Sequence, residues 1–474
     1  MKKILVCFLF LAFAPLVTAK EESLIFGPFG KIALYYETPQ PSNVALFVSG
    51  DGGWNLGVID MARELASLDA LVVGIDINYF LKQMEASGEK CLYPAADFEA
   101  LSKFVQMKLD YPSYRTPILV GYSSGATLIY AALVQAPSNT FLGGVSMGFC
   151  PDLMLARPMC RGGGLEWTSG PKGKGYSFLP AASLEVKWIA LQGTIDQVCD
   201  SKSTESFVKK VPQGELAILP KVGHGFSVPR NWMPQFKQAF SSIAAKAEKE
   251  EAPPKTASDA GSRPLSDLPL VEVPASGGNT SLMGILISGD GGWGVTDRGI
   301  AQGLAAKGIP VVGLNSLHYF WKQKTVEQTA ADLDRILQHY TALWKRSEVV
   351  VVGYSLGADV LPFMLNRIPA ESLQKIKVIA LLGLSPTADF QFHLTDWIAA
   401  RKRSTSRMVR PEVEKLRGKR MLCFYGTEDE DELCAQLDPG LAMAIPIQGG
   451  HRFGKGYQPI VDAILQETTR KMER

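Results

Sequence analysis

A large excess of charge of one sign is missing from this chain. Lys and Arg total 49 against 47 Asp and Glu, a net charge of +2, so no global field points to nucleic acid and function must reside in local sites. A membrane-spanning run is missing as well. The apolar stretch from Ile4 to Val17 is shorter than the roughly 20 residues a spanning helix needs. It stands between Lys2-Lys3 and Val17-Thr18-Ala19 and reads as a cleaved secretory signal over residues 1–19, which implies export of the mature protein. Histidine is scarce, with 5 in the chain, and no C-x-x-C or paired His spacing occurs, so a zinc set is not indicated and no metal or cofactor is expected. Without Cys7, the cysteines are Cys91, Cys150, Cys160, Cys199, Cys423 and Cys434, an even set in an oxidising compartment. A bridge inside the second half must join Cys423 to Cys434; the first four allow three pairings.

What is present is said twice. Gly50-Asp51-Gly52-Gly53-Trp54 returns as Gly289-Asp290-Gly291-Gly292-Trp293, and Gly121-Tyr122-Ser123-Ser124-Gly125 returns as Gly353-Tyr354-Ser355-Leu356-Gly357. Between the halves, residues 243–266 are Ala, Lys, Glu, Pro and Ser rich, which reads as a polar linker. This gives an N-terminal domain over 20–242 and a C-terminal domain over 267–474. Short apolar runs precede each special residue: 44–48, 71–75, 118–120 and 188–191, then 285–287, 311–314, 349–352, 378–382 and 421–424. Such strands alternating with amphipathic stretches predict two tandem α/β domains, each a mostly parallel sheet flanked by helices.

A strand, then G-x-S-x-G, then a helix is the pattern of a nucleophile elbow, which makes Ser123 and Ser355 candidate nucleophiles. A serine hydroxyl needs a base, and the base needs a carboxylate to fix its tautomer. The first half has one histidine, His224, downstream of Asp196; the second offers His451 downstream of Asp429. The order Ser, acid, His is that of α/β-hydrolases. Asp429 sits in an acidic run in which Asp431 is the fallback; His318, His339 and His393 lack first-half counterparts and read as structural or substrate-side. The Gly-Asp-Gly-Gly-Trp loops stand where this fold supplies one oxyanion N–H, so the expected donors are Gly52 or Gly53 with Ser124, and Gly291 or Gly292 with Leu356. The formal G-x-G-x-x-G of Gly289 to Gly294 is not a dinucleotide signature, because Asn55 replaces the last glycine in the first copy and the following strand ends in Asn315 rather than an acid.

The second half also resembles a known family. Ser288-Gly-Asp-Gly-Gly-Trp293, Gly308-Ile-Pro-Val-Val-Gly313, Gly353-Tyr-Ser-Leu-Gly-Ala-Asp-Val-Leu-Pro-Phe363, Leu381-Leu-Gly-Leu-Ser385 and Gly449-Gly-His-Arg-Phe453 are similar to the bacterial VirJ virulence-protein domain. With a related half before it, the layout resembles AcvB-type proteins. That resemblance implies a periplasmic serine hydrolase of lysyl- or other aminoacyl-phosphatidylglycerol, with Ser355, an acid in 429–431 and His451 as its catalytic residues. The expected partner is then an aminoacylated anionic phospholipid, met by peripheral contact with the membrane. An insertion before residue 421 carries Trp397, Ile398, Arg401, Lys402 and Arg403, a basic and apolar mixture suited to an anionic bilayer. The other readings are a general carboxylesterase or peptidase acting on a soluble substrate, and a non-catalytic envelope protein that binds a secretion apparatus.

Overall fold

The computed structural model describes residues 20–470 except 138, 251–264, 276, 278–279, 392–405, 430–431, 452 and 454–456, with 246–250 described as backbone alone. Residues 1–19, and with them the expected signal, lie outside the described residues. The chain forms two compact units. The first takes the chain up to Pro94, Pro117–Val134 and Gly143–Ala244; the second takes Ala95–Thr116, Gln135–Leu142 and the chain from Ala245 on.

In the first unit the strands are β1 (Lys20–Phe26), β2 (Gly30–Tyr36), β3 (Asn43–Val48), β4 (Ala70–Ile75), β5 (Ile118–Tyr122), β6 (Gly143–Met147), β7 (Asp152–Leu153), β8 (Trp167–Ser169), β9 (Tyr176–Phe178), β10 (Lys187–Gly193) and β11 (Gly214–Leu219). Eight of them form a sheet in the order β1-β2-β4-β3-β5-β6-β10-β11. It is parallel from β4 to β11, with β1 and β2 added antiparallel. The short strands β7, β9 and β8 make a separate antiparallel sheet.

The second unit has β12 (Leu270–Val273), β13 (Leu282–Ile287), β14 (Val311–Leu314), β15 (Glu348–Tyr354), β16 (Ile376–Leu382), β17 (Thr387–Ala388), β18 (Arg407–Met408), β19 (Met421–Gly426) and β20 (Met443–Ile447). Its main sheet runs β12-β14-β13-β15-β16-β19-β20, with only β12 antiparallel. Side chains alternate across a strand, and here both faces are buried. Ile285, Ile287, Val349, Val351, Ile379 and Leu381 enter one core, while Leu286, Val350, Val352, Val378, Ala380 and Leu382 enter the other. Double-sided burial is why these strands read as unbroken apolar runs.

The division into units is not a single cut at 243–266. Helix Met233–Glu250 continues through the first residues of that stretch, because Ala, Lys and Glu are strong helix formers and Ile243 is buried in the core. Segment 95–116 groups with the second unit for an equally local reason. Trp321 Nε1 donates to the Tyr111 carbonyl at 2.9 Å, the Tyr114 ring packs on Trp321, and Lys322 pairs with Asp110.

Candidate active site

Each nucleophile candidate sits where a parallel strand must turn at once into a helix. Ser123 follows β5 and opens helix Ser124–Gln135; Ser355 follows β15 and opens helix Leu356–Leu365. The turn forces φ of +54° on Ser123 and +51° on Ser355, a left-handed conformation that costs a non-glycine residue about 1–3 kcal/mol. The flanking glycines are steric requirements. A Cβ on Gly125 would lie 2.4 Å from the carbonyl oxygens of Val48 and Ser49, and one on Gly357 would lie 2.1 Å from that of Ile287. The Ser123 and Ser355 N–H groups bond to the carbonyls of Met147 and Leu382, both at 2.8 Å, which ties each elbow to the neighbouring strand.

The predicted bases and acids come together at both elbows. Ser123 Oγ and His224 Nε2 are 2.9 Å apart, and His224 Nδ1 is 2.9 Å from Asp196 Oδ2. Ser355 Oγ, His451 Nε2, His451 Nδ1 and Asp429 Oδ2 repeat these distances, 2.9 Å each. With the proton on Nδ1, the ring donates to the carboxylate and accepts from the serine, the arrangement needed for removing the serine proton. Glycine makes room for each ring: a Cβ on Gly383 would lie 2.7 Å from His451 Cε1, and one on Gly148 would lie 3.2 Å from His224. Asp431 lies outside the described residues.

The Gly-Asp-Gly-Gly-Trp loops narrow one expectation. The N–H of Gly53 donates to the Gly50 carbonyl at 2.9 Å and that of Gly292 to Gly289 at 3.0 Å, so both are spent in closing the turn. Their φ angles of +76° and +82° are what the turn needs of a glycine. Gly52 with Ser124, and Gly291 with Leu356, remain the candidate oxyanion donors. The tryptophans fill the space over a glycine in the next strand, since a Cβ on Gly74 or Gly313 would fall 2.1 Å from the Trp54 or Trp293 ring. Sequence reading missed this; the shared Val-Val-Gly of 72–74 and 311–313 was the available signal. It also missed Tyr122 and Tyr354, whose hydroxyls donate to the His224 and His451 carbonyls at 2.9 and 3.4 Å.

Around the acids the two sites differ. Burial alone would raise Asp196, but the N–H groups of Cys199 and Val198 and the His224 ring hold its carboxyl below the ordinary range. Gln192 also donates to it at 3.0 Å. Cys199 is bridged to Cys150. In the second site the residue three beyond the acid is Glu432, whose Oε1 is 3.8 Å from His451 Nδ1. Both Glu432 carboxylate oxygens are buried with no hydrogen-bond partner among the described residues. Burial pushes Glu432 up, and pushes Asp359, one turn after Ser355, up to about 8. His451 is raised, by Glu432 before Asp429, against an opposing effect of burial. Donor atoms of Asp429, Glu432 and His451 lie within 4.8 Å of one another, near enough for a cation, but a cation on Nδ1 would displace the bond that sets the tautomer.

The remaining expectations fall in several places. Cys423–Cys434 is bridged, and Cys91–Cys160 with Cys150–Cys199 is the pairing adopted in the first half. Arg401, Lys402 and Arg403, with Trp397, Ile398 and His393, lie outside the described residues. Burial lowers His318 to about 4, which keeps it neutral beside the Tyr114 ring. No helix among the described residues is long and apolar enough to cross a membrane.

The sequence pattern described as bacterial virulence protein (VirJ) matches residues 42–141 and 281–472. Among curated proteins none matches the chain. Among solved structures, the esterase domain of a Rhodothermus marinus protein is 14% identical with a TM-score of 0.33, covering 49% of this chain and 98% of that one. Est1E from Butyrivibrio proteoclasticus is 11% identical with a TM-score of 0.33, covering 48% and 99%. A lidless α/β serine hydrolase from Xanthomonas campestris is 18% identical with a TM-score of 0.31, covering 48% and 95%.

Proposed function

The chain belongs to the VirJ family of bacterial virulence proteins, and from that premise we propose that it is a serine hydrolase of the aminoacyl ester in aminoacyl-phosphatidylglycerol, acting in the periplasm. The observation that carries the hydrolase reading is the pair of Ser–His–Asp relays, each on a strained elbow with 2.9 Å between successive partners. Ser355 attacks the ester carbonyl as His451 Nε2 takes its proton. The N–H groups of Gly291 and Leu356 face the developing oxyanion, and the imidazolium returns the proton to the departing glycerol alkoxide. Water, deprotonated by His451, then releases the amino acid from the acyl-enzyme. The substrate class is supported by the resemblance of the second half, where the motifs are densest.

Mature protein, Ser355→Ala and Ser123→Ala are assayed on lysyl-phosphatidylglycerol vesicles. Loss of the serine oxygen at the working site lowers the rate by about a thousandfold or more, and the expectation is that Ser355→Ala does so. A wild-type rate in Ser355→Ala would overturn the assignment to the second half. Hydrolysis of a soluble ester with none of the lipid would favour the general carboxylesterase instead.

A further inference from the structure

The relay accounts for Ser355, His451 and Asp429 but not for the acid beside them. Glu432 is 6% exposed, both of its oxygens are buried with no hydrogen-bond partner among the described residues, and one of them stands 3.8 Å from His451 Nδ1. An unpartnered carboxylate in such a place is costly unless a charge nearby compensates it. The first unit avoids that cost: three residues beyond its acid stands Cys199, held in a disulfide.

We propose that Glu432 is a positioning residue of the second site, a second carboxylate that acts with Asp429 on the Nδ1 side of His451 and strengthens it as a base. The inference rests on the hydrolase reading in taking His451 as the base. When the Ser355 proton passes to Nε2, the ring carries a full positive charge, and Glu432 is placed to balance it until the proton leaves with the alkoxide. Among the described residues, the titratable groups facing Glu432 are His451, Asp429 and Asp359. Asp359 is anchored by the Ser385 N–H at 2.7 Å and, ionising near 8, is largely neutral at pH 7, which spares Glu432 a second negative neighbour. The upward displacement of His451, caused first by Glu432, agrees with this geometry.

The test uses the full mature chain carrying Ser123→Ala, so that ester turnover reports the second site. His451 is titrated by NMR with labelled histidine, and kcat/KM for p-nitrophenyl acetate is followed against pH. In Glu432→Gln, which preserves shape, His451 titrates about one unit lower, and the acid limb of the rate profile moves down by the same amount with KM little changed. Glu432→Asp, which keeps the charge on a shorter stem, recovers part of the shift. An unmoved His451 in Glu432→Gln overturns the proposal, and so does an equal shift in both variants, since packing rather than charge would then be responsible. A shifted His451 in a protein that turns over no ester supports the placement of Glu432 and sinks the hydrolase reading, so the two failures are distinguishable.

Discussion

The two units hold the same relay at the same distances in opposite electrostatic settings. Beside His224 the neighbouring positions are neutral and covalently tied: Thr127 donates to the Cys150 carbonyl at 2.6 Å, and Cys150 is bridged to Cys199. The corresponding positions of the second unit hold Asp359, Ser385 and Glu432, with Asp359 accepting from the Ser385 N–H. The acid of the first site is fully buried and that of the second is 25% exposed. A nucleophile elbow therefore fixes where serine, base and acid stand, while the residues one turn beyond decide how strong the base is. The first site locks its acid with Gln192, two N–H groups and a disulfide. The second leaves its acid more open and places buried carboxyls around it.

The comparison breaks hardest at the elbow glycines, where the two sites are expected to respond alike. Gly125→Ala and Gly357→Ala each drive a methyl into backbone carbonyls at 2.4 and 2.1 Å, which cannot yield as a flexible side chain would. Each should cost roughly 3 kcal/mol or more and abolish labelling of its own serine by a fluorophosphonate probe. Mass spectrometry of the labelled peptides checks this, serine by serine. Full labelling of Ser355 in Gly357→Ala would mean that the elbow is not built as described.

Much of this was legible in the sequence, for physical reasons. Strands buried on both faces read as unbroken runs, so β4, β5, β14 and β15 could be placed within a residue or two. The order Ser, acid, His survives any loop length. β6 went unread because it opens with Gly143-Gly144, where a Cβ would meet the Lys187 carbonyl and the Leu133 side chain, and β20 because it carries Pro446, tolerated at a sheet edge. The grouping of segment 95–116 with the second unit was beyond pattern reading, since an amphipathic helix shows that it packs but not on what. Glu432 was hidden in an acidic run whose sequence does not say which members face the histidine. Which N–H of the Gly-Gly pair is spent in the turn depended on how the loop closes.

A finer distinction comes from pH. An aspartate ordinarily ionises near 3.8, whereas Asp359 ionises near 8. Between those values the unfolded chain has released a proton that the folded chain still holds, so the contribution of this residue to stability falls as pH rises and levels off above about 8. Asp359→Asn keeps an acceptor for the Ser385 N–H and removes the titration. Relative to the parent it should gain on the order of 5 kcal/mol at pH 8, about four pH units at roughly 1.4 kcal/mol each, and almost nothing near pH 4. Urea unfolding at several pH values measures it. Identical slopes in parent and variant would show that the second unit bears no such buried acid, and the electrostatic contrast with Thr127 would fall.

The smallest effect concerns the tyrosines before the nucleophiles. Tyr122 packs against His224 and Phe226, and Tyr354 against His451 and Phe453, with ring separations of 5.9 and 6.0 Å in the first site and 5.9 and 6.2 Å in the second. Phenylalanine keeps those contacts and deletes only the hydroxyl that steadies the histidine loop. Its bond to the carbonyl is 2.9 Å at His224 but 3.4 Å at His451, near the limit at which a hydrogen bond still contributes. A well-formed bond of this kind is worth about 1 kcal/mol. Tyr122→Phe should accordingly slow probe labelling of Ser123 by about fivefold, and Tyr354→Phe should slow that of Ser355 by less than about twofold. Labelling rates at fixed pH decide the matter. Equal slowing at both serines would mean that the two histidine loops are held alike, and that the sites differ only in the charges around their bases.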